Sequence, residues 1–117
     1  MTAIDTDVKS VQRMFDVNVF GPMRMVHHFH DMLIQASGTI INISSIGAIV
    51  PYVYGCKFTI QPFRTTNHNL TSIQASYNAT KAALAHWANT VRVEMAPLGV
   101  KVLVVYRSYL LTLLCYR

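Results

Sequence analysis

Apolar positions first recur three or four residues apart. Val11, Met14 and Phe15, with Asn18 continuing the row, then Met25, Phe29, Met32 and Leu33, mark one face of a helix over residues 6–35. Thr6 or Asp7 can cap its start. Gly21-Pro22 predicts a kink, because proline removes a backbone donor. Ser37-Gly38 ends the helix, glycine being the usual residue just past a helix terminus. The pattern then changes. Thr39-Ile40-Ile41-Asn42-Ile43-Ser44 is short, β-branched and largely apolar, which predicts a central strand. A second helix is expected from Ser76 to about Met95, carrying Ala82, Ala83, Leu84, Trp87, Val91 and Val93, with Pro97 and Gly99 ending it. Residues 100–105 read as a second strand. Strand, helix, strand with a helix ahead is a right-handed βαβ unit extended by one element. The fold class is α/β, part of a doubly wound parallel sheet.

Composition agrees. The 117 residues make one small domain, and with 52% hydrophobic and 13% charged residues the chain is no disordered tail. Internal repeats and low-complexity stretches are absent.

The net charge of +5 raises the question of nucleic acid. Four of the ten basic residues (Lys57, Arg64, Arg107 and Arg117) fall in segments 56–74 and 106–117, which are set apart below. The other six are offset by Asp5, Asp7, Asp16, Asp31 and Glu94, and no basic stripe forms. Nucleic acid is therefore not expected as a partner.

Cys56 and Cys115 show no metal-ligand spacing, so a reducing compartment is expected. Met1 is followed by acidic residues rather than a signal sequence, and Leu110–Cys115 is far too short to span a bilayer. Sequons at Asn42, Asn69 and Asn78 carry little weight without a secretory signal.

Tyr77 and Lys81 are the first candidates for chemistry. Four residues apart, they share a helix face within reach of one ligand. A tyrosine titrates near 10 and is a poor acid/base at neutral pH. A neighbouring ammonium favours the phenolate and brings it toward working pH. A Tyr-x-x-x-Lys pair can thus move a proton to a carbonyl or from an alcohol, although any amphipathic helix can supply the spacing by chance. His27, His28 and His30 invite a metal reading. His27 and His30 share a face but His28 points away, and no carboxylate or cysteine pairs with them, so no metal is expected. The methionines and Trp87 sit at core spacing and read as packing.

The wording around the pair carries more. Gly38-Thr39-Ile40-Ile41-Asn42-Ile43-Ser44-Ser45, Tyr77-Asn78-Ala79-Thr80-Lys81-Ala82-Ala83-Leu84, Asn18-Val19-Phe20-Gly21 and Pro97-Leu98-Gly99-Val100-Lys101-Val102 resemble the short-chain dehydrogenase/reductase family. The resemblance covers residues 5–55 and 76–105 in family order. Within the family, "MFDVNVFG", "INISSIGAIVPY" and "RVEMAPLGVKV" look most like reductases of 1-acyldihydroxyacetone phosphate in lipid synthesis.

The resemblance implies a partial Rossmann-like fold, the C-terminal catalytic part without the nucleotide-binding βαβ half. It implies NADP or NAD as cofactor and a small-molecule carbonyl or alcohol as substrate. Tyr77 would be the general acid/base, and Lys81 would tune it and hold the cofactor ribose, so both touch cofactor. Ser45 would bond the substrate carbonyl, and Asn18 would support a proton relay at a break in the first helix. Family members also pair through helices matching residues 6–35 and 76–95, so a homo-oligomer is expected. A cytoplasmic location is expected, with the endoplasmic reticulum or lipid droplet implied by the lipid-synthesis likeness.

Three departures from the family follow. The 117 residues hold no Gly-x-x-x-Gly-x-Gly turn to cradle a diphosphate, so the domain reads as incomplete and these residues alone are expected to be inactive. Ser45 and Tyr77 stand 32 positions apart, and removing the polar segment 56–74 leaves the family's spacing of 13. Left in place, that segment is expected to displace Ser45 from Tyr77. We read it as a translated intron. Cys56-Lys57-Phe58 can be written T|GTAAGTTY, a splice-donor sequence, Leu70-Thr71 CTAACN, a branch point, and Gln74-Ala75 CAAG|CN, an acceptor. The rejoined codon TCN is serine. The alternative is a surface loop, which costs little closure entropy. Lastly, residues 106–117 match nothing in the family.

Overall fold

The computed structural model describes residues 6–50 and 70–107. In chain order these form α1 (Val8–Phe15), a π-helical turn (Asp16–Phe20), α2 (Gly21–Gln35), β1 (Thr39–Ser45), a 3-10 turn (Ile46–Ala48), α3 (Leu70–Met95), a second 3-10 turn (Ala96–Leu98) and β2 (Lys101–Arg107). Most of segment 56–74, with Cys56, Lys57, Arg64 and Asn69, lies outside the described residues, as do residues 108–117 with Cys115 and Arg117.

Of the two expected caps Asp7 serves, its carboxylate accepting the Lys9 and Ser10 amides at 3.2 and 3.1 Å. The expected kink is a π-helical turn just ahead of Pro22. Pro22 has no N–H for the Asn18 carbonyl, and the ladder slips by one residue, so that the Gly21 amide reaches back five residues to Asp16. At the end of α2 the left-handed residue is Ser37, at φ 46°, rather than Gly38. The Ser37 amide donates to the Ile34 carbonyl at 3.1 Å and the Gly38 amide to Leu33 at 2.8 Å, the paired bonds of a Schellman end. Gly38 answers to space instead, since a Cβ there would stand 3.0 Å from Leu33 Cδ2.

β1 and β2 pair in parallel, from Thr39 opposite Lys101 to Ser45 opposite Arg107, with α3 as the crossover. Even-numbered positions of both strands turn toward the helices: Asn42, Ser44 and Val102 are buried, Ile40 and Val104 half-buried. The core joins Ala88, Val91 and Met95 of α3 to Val100 and Val102, with Val26, Leu33 and Ile34 of α2 packed against them. Burying such side chains contributes about 1.5–3 kcal/mol each. The odd-numbered positions Ile41, Ile43, Leu103 and Val105 are exposed, so among the described residues the sheet is covered on one face only.

Three expectations change. α3 begins at Leu70, not Ser76, because residues 70–75 contain neither glycine nor proline to stop it. β2 runs to Arg107, two residues beyond the expected end. Met25, Phe29 and Met32 are exposed, because α2 is apolar on more than one face and turns Val26, Leu33 and Ile34 inward instead. No helix among the described residues is long and apolar enough to cross a membrane.

Candidate active site

Tyr77 lies two turns into α3 rather than at its opening, and Lys81 follows one turn later. The Lys81 ammonium stands 5.7 Å from the centre of the Tyr77 ring, within cation–π range. It also donates to the Ile43 carbonyl of β1 at 2.8 Å. Burial lowers the Lys81 pKa, because the charged amine loses part of its hydration.

Asn18, in the middle of the π-helical turn, joins the same centre. Its Nδ2 donates to Thr80 Oγ1 at 3.1 Å, and that hydroxyl donates to the Tyr77 carbonyl at 2.7 Å. A side chain 62 positions from Thr80 is thereby tied to the turn that carries Tyr77 and Lys81.

The end of β1 closes onto that turn too. The Ser44 hydroxyl donates to the Lys81 carbonyl at 3.0 Å. Next to it, Ser45 is half-buried and accepts the Gly47 amide at 3.2 Å, capping the 3-10 turn. Gly47 is buried against Asn78, the neighbour of Tyr77, and a Cβ there would fall 2.8 Å from Asn78 Cγ. The end of β1 and the turn after it thus meet the Tyr77–Lys81 turn through Ser44 and Gly47.

A cavity of about 340 Å³ opens beside this centre, lined by Val17, Asn18, Pro22, Met25, Ile43 and Lys81 among others. Three polar side chains, Asn18, Asn42 and Lys81, within an otherwise apolar wall suit a ligand that is mostly hydrocarbon with a polar function at one end. Asn42 Nδ2 and Asn78 Oδ1 are buried without a protein partner. Such burial leaves no room for a glycan at the Asn42 sequon.

The histidines form no such centre. His27 and His30 stack at 6.3 Å, and, contrary to the expectation that no carboxylate pairs with them, the adjacent Asp31 stands 3.3 Å from His30 on the exposed side of α2. Among the described residues no three His, Cys, Asp or Glu gather as metal ligands do.

Sequence reasoning named Asn18, Ser45, Tyr77 and Lys81 but passed over Thr80, Ser44 and the Gly47–Asn78 contact. One signal was present. Threonine is a poor helix former, and a hydroxyl inside a helix must find a partner.

Comparisons with known proteins give the family. A family model described as short chain dehydrogenase matches residues 1–59. The chain is 66% identical over 105 residues to the short-chain dehydrogenase srdE of Neurospora crassa, which covers 90% of this chain and 30% of that protein. It is 39% identical over 100 residues to the NADPH-dependent 1-acyldihydroxyacetone phosphate reductase of Schizosaccharomyces pombe, covering 86% of this chain and 27% of the reductase. A crystal structure of a short-chain dehydrogenase from Streptomyces avermitilis superposes with a TM-score of 0.69 at 26% identity, over 91% of this chain and 32% of that one. The chain belongs to the short-chain dehydrogenase family of oxidoreductases, and its fold is part of a Rossmann-like sheet. It spans about 30% of the length of the curated relatives it matches.

The family works with NAD or NADP, and the residues here fit one end of that cofactor. Lys81, half-buried beside the Tyr77 ring and lining the cavity, is a donor that could reach a sugar hydroxyl of such a cofactor.

Proposed function

We propose that the whole protein is an NADPH-dependent carbonyl reductase, with this chain supplying its proton-transfer centre. The observation that carries the reading is the joining of Asn18, Thr80 and Tyr77 by hydrogen bonds, with the Lys81 ammonium over the tyrosine ring. Tyr77 gives its phenolic proton to the oxygen of the reduced carbonyl, or takes it back in the oxidative direction. Lys81 favours the phenolate and holds the ribose. Ser45 bonds the substrate oxygen, and Asn18 supports the path by which the proton is replaced. Bound NADPH supplies the hydride.

For the substrate we propose a ketone on an acylated, phosphorylated three-carbon unit. The Schizosaccharomyces relative is named for that reaction, and the cavity wall is mostly apolar. The test is NADPH consumption with acyl-dihydroxyacetone phosphate, in a protein extended to its relatives' length. Tyr77→Phe should lower kcat by about 10²-fold or more, the usual worth of a positioned acid/base. Consumption undiminished in Tyr77→Phe would overturn the assignment.

A second reading rests on the exposed apolar side chains Met25, Phe29 and Met32 of α2. The 117-residue chain by itself would be a non-catalytic partner that binds full-length subunits through residues 6–35 and 76–95. Co-purification with a full-length homologue, without turnover of its own, is the expected result. Recovery of the chain alone would oppose it.

A further inference from the structure

Thr80 is wholly buried, and its oxygen does two things at once. It donates its single proton to the Tyr77 carbonyl, which can only accept. The lone pairs that remain can only accept, and what they accept is Asn18 Nδ2. The direction of the chain is therefore dictated from the α3 end. Asn18 must turn its NH₂ to Thr80, which sends its Oδ1 the other way. Reversing the amide would either set two acceptors against each other or turn the hydroxyl to Asn18 and break its 2.7 Å bond to the Tyr77 carbonyl.

Asn18 lines the cavity together with Lys81, so the orientation chosen by Thr80 decides which group of Asn18 the site receives. Thr80 also works against local preference, since threonine in a helix interior is a poorer helix former than alanine. A residue that breaks a local rule inside a site marks a functional constraint.

We propose that Thr80 is a positioning residue, whose hydroxyl fixes the orientation of Asn18 against the Tyr77–Lys81 turn. The catalytic part of this rests on the reading of Tyr77 as the proton-transfer group. The positioning part stands on the geometry alone.

Two substitutions separate the hydroxyl from packing. Thr80→Val keeps the volume and loses the hydroxyl, whereas Thr80→Ser keeps the hydroxyl and loses a methyl. In the full chain, the Asn18 side-chain amide protons are followed by NMR hydrogen exchange. Their protection should survive in Thr80→Ser and vanish in Thr80→Val. In carbonyl reduction by the protein extended to its relatives' length, Thr80→Val should lower kcat by about 10- to 100-fold, the cost of a misplaced catalytic group. KM should change little, and Thr80→Ser should restore most of the rate. A packing role predicts the opposite order, because serine leaves a void that valine fills. Protection of the Asn18 amide in Thr80→Val, or a slower Thr80→Ser than Thr80→Val, would overturn the proposal. A wild-type protein without turnover, whose amide protection still follows the hydroxyl, would sink the reductase reading and leave the positioning role supported.

Discussion

Substituting alanine for Gly47 probes the junction between the end of β1 and the turn bearing Tyr77. A Cβ at Gly47 stands 2.8 Å from Asn78 Cγ and 3.2 Å from Nδ2. Non-bonded carbons settle at about 3.5–4.0 Å, so Gly47→Ala drives the two apart by roughly 1 Å. Asn78 has little freedom to retreat. It follows Tyr77, its Oδ1 is buried, and its helix is tied down by the Asn18 amide at Thr80 and the Ser44 hydroxyl at Lys81. Overpacking of this kind costs about 1–3 kcal/mol. In a chain of this size each kcal/mol moves Tm by about 4 °C, so a fall of about 4–12 °C is expected. Thermal and urea unfolding of Gly47→Ala, Asn78→Ala and the double variant measure it. Shortening Asn78 removes the obstacle, and the double variant should be more stable than additivity predicts by about 1 kcal/mol or more. A Gly47→Ala chain as stable as wild type, or strict additivity, would refute the reasoning.

Three further outcomes are expected. Ser37→Gly should raise stability by about 0.5–1 kcal/mol in urea unfolding, because Ser37 holds a left-handed conformation that glycine adopts without a Cβ penalty. Asp7→Ala should lower Tm near neutral pH, with the gap closing as the solution is acidified. Bonds from the Ser10 hydroxyl and the Lys9 amide hold the Asp7 carboxyl below 3.8, so its stabilisation is present above that value and lost as pH falls through the folded-state pKa. A gap that ignores pH would count against the cap. Sequencing the transcript across codons 50–80 should show the nineteen codons 56–74 missing from mature message, and their retention would end the intron reading.

Much of this protein was legible in its sequence because the deciding physics is local. A helical period, a β-branched run and a proline without its N–H each act within a few residues. The Tyr77–Lys81 pair was readable for the same reason, since one helical turn places both groups on one face.

What lay beyond the sequence depends on packing between distant segments. Helix α2 offers two apolar faces, and only the docked sheet selects Val26, Leu33 and Ile34 over Met25, Phe29 and Met32. Thr80 is an ordinary helix residue until Asn18, 62 positions away, arrives on its hydroxyl. Gly47 sits in the 3-10 turn after β1, and its need for glycine comes from Asn78 across the junction. Each of these outcomes is set by which buried group meets which, and that is decided only when the helices close on the sheet.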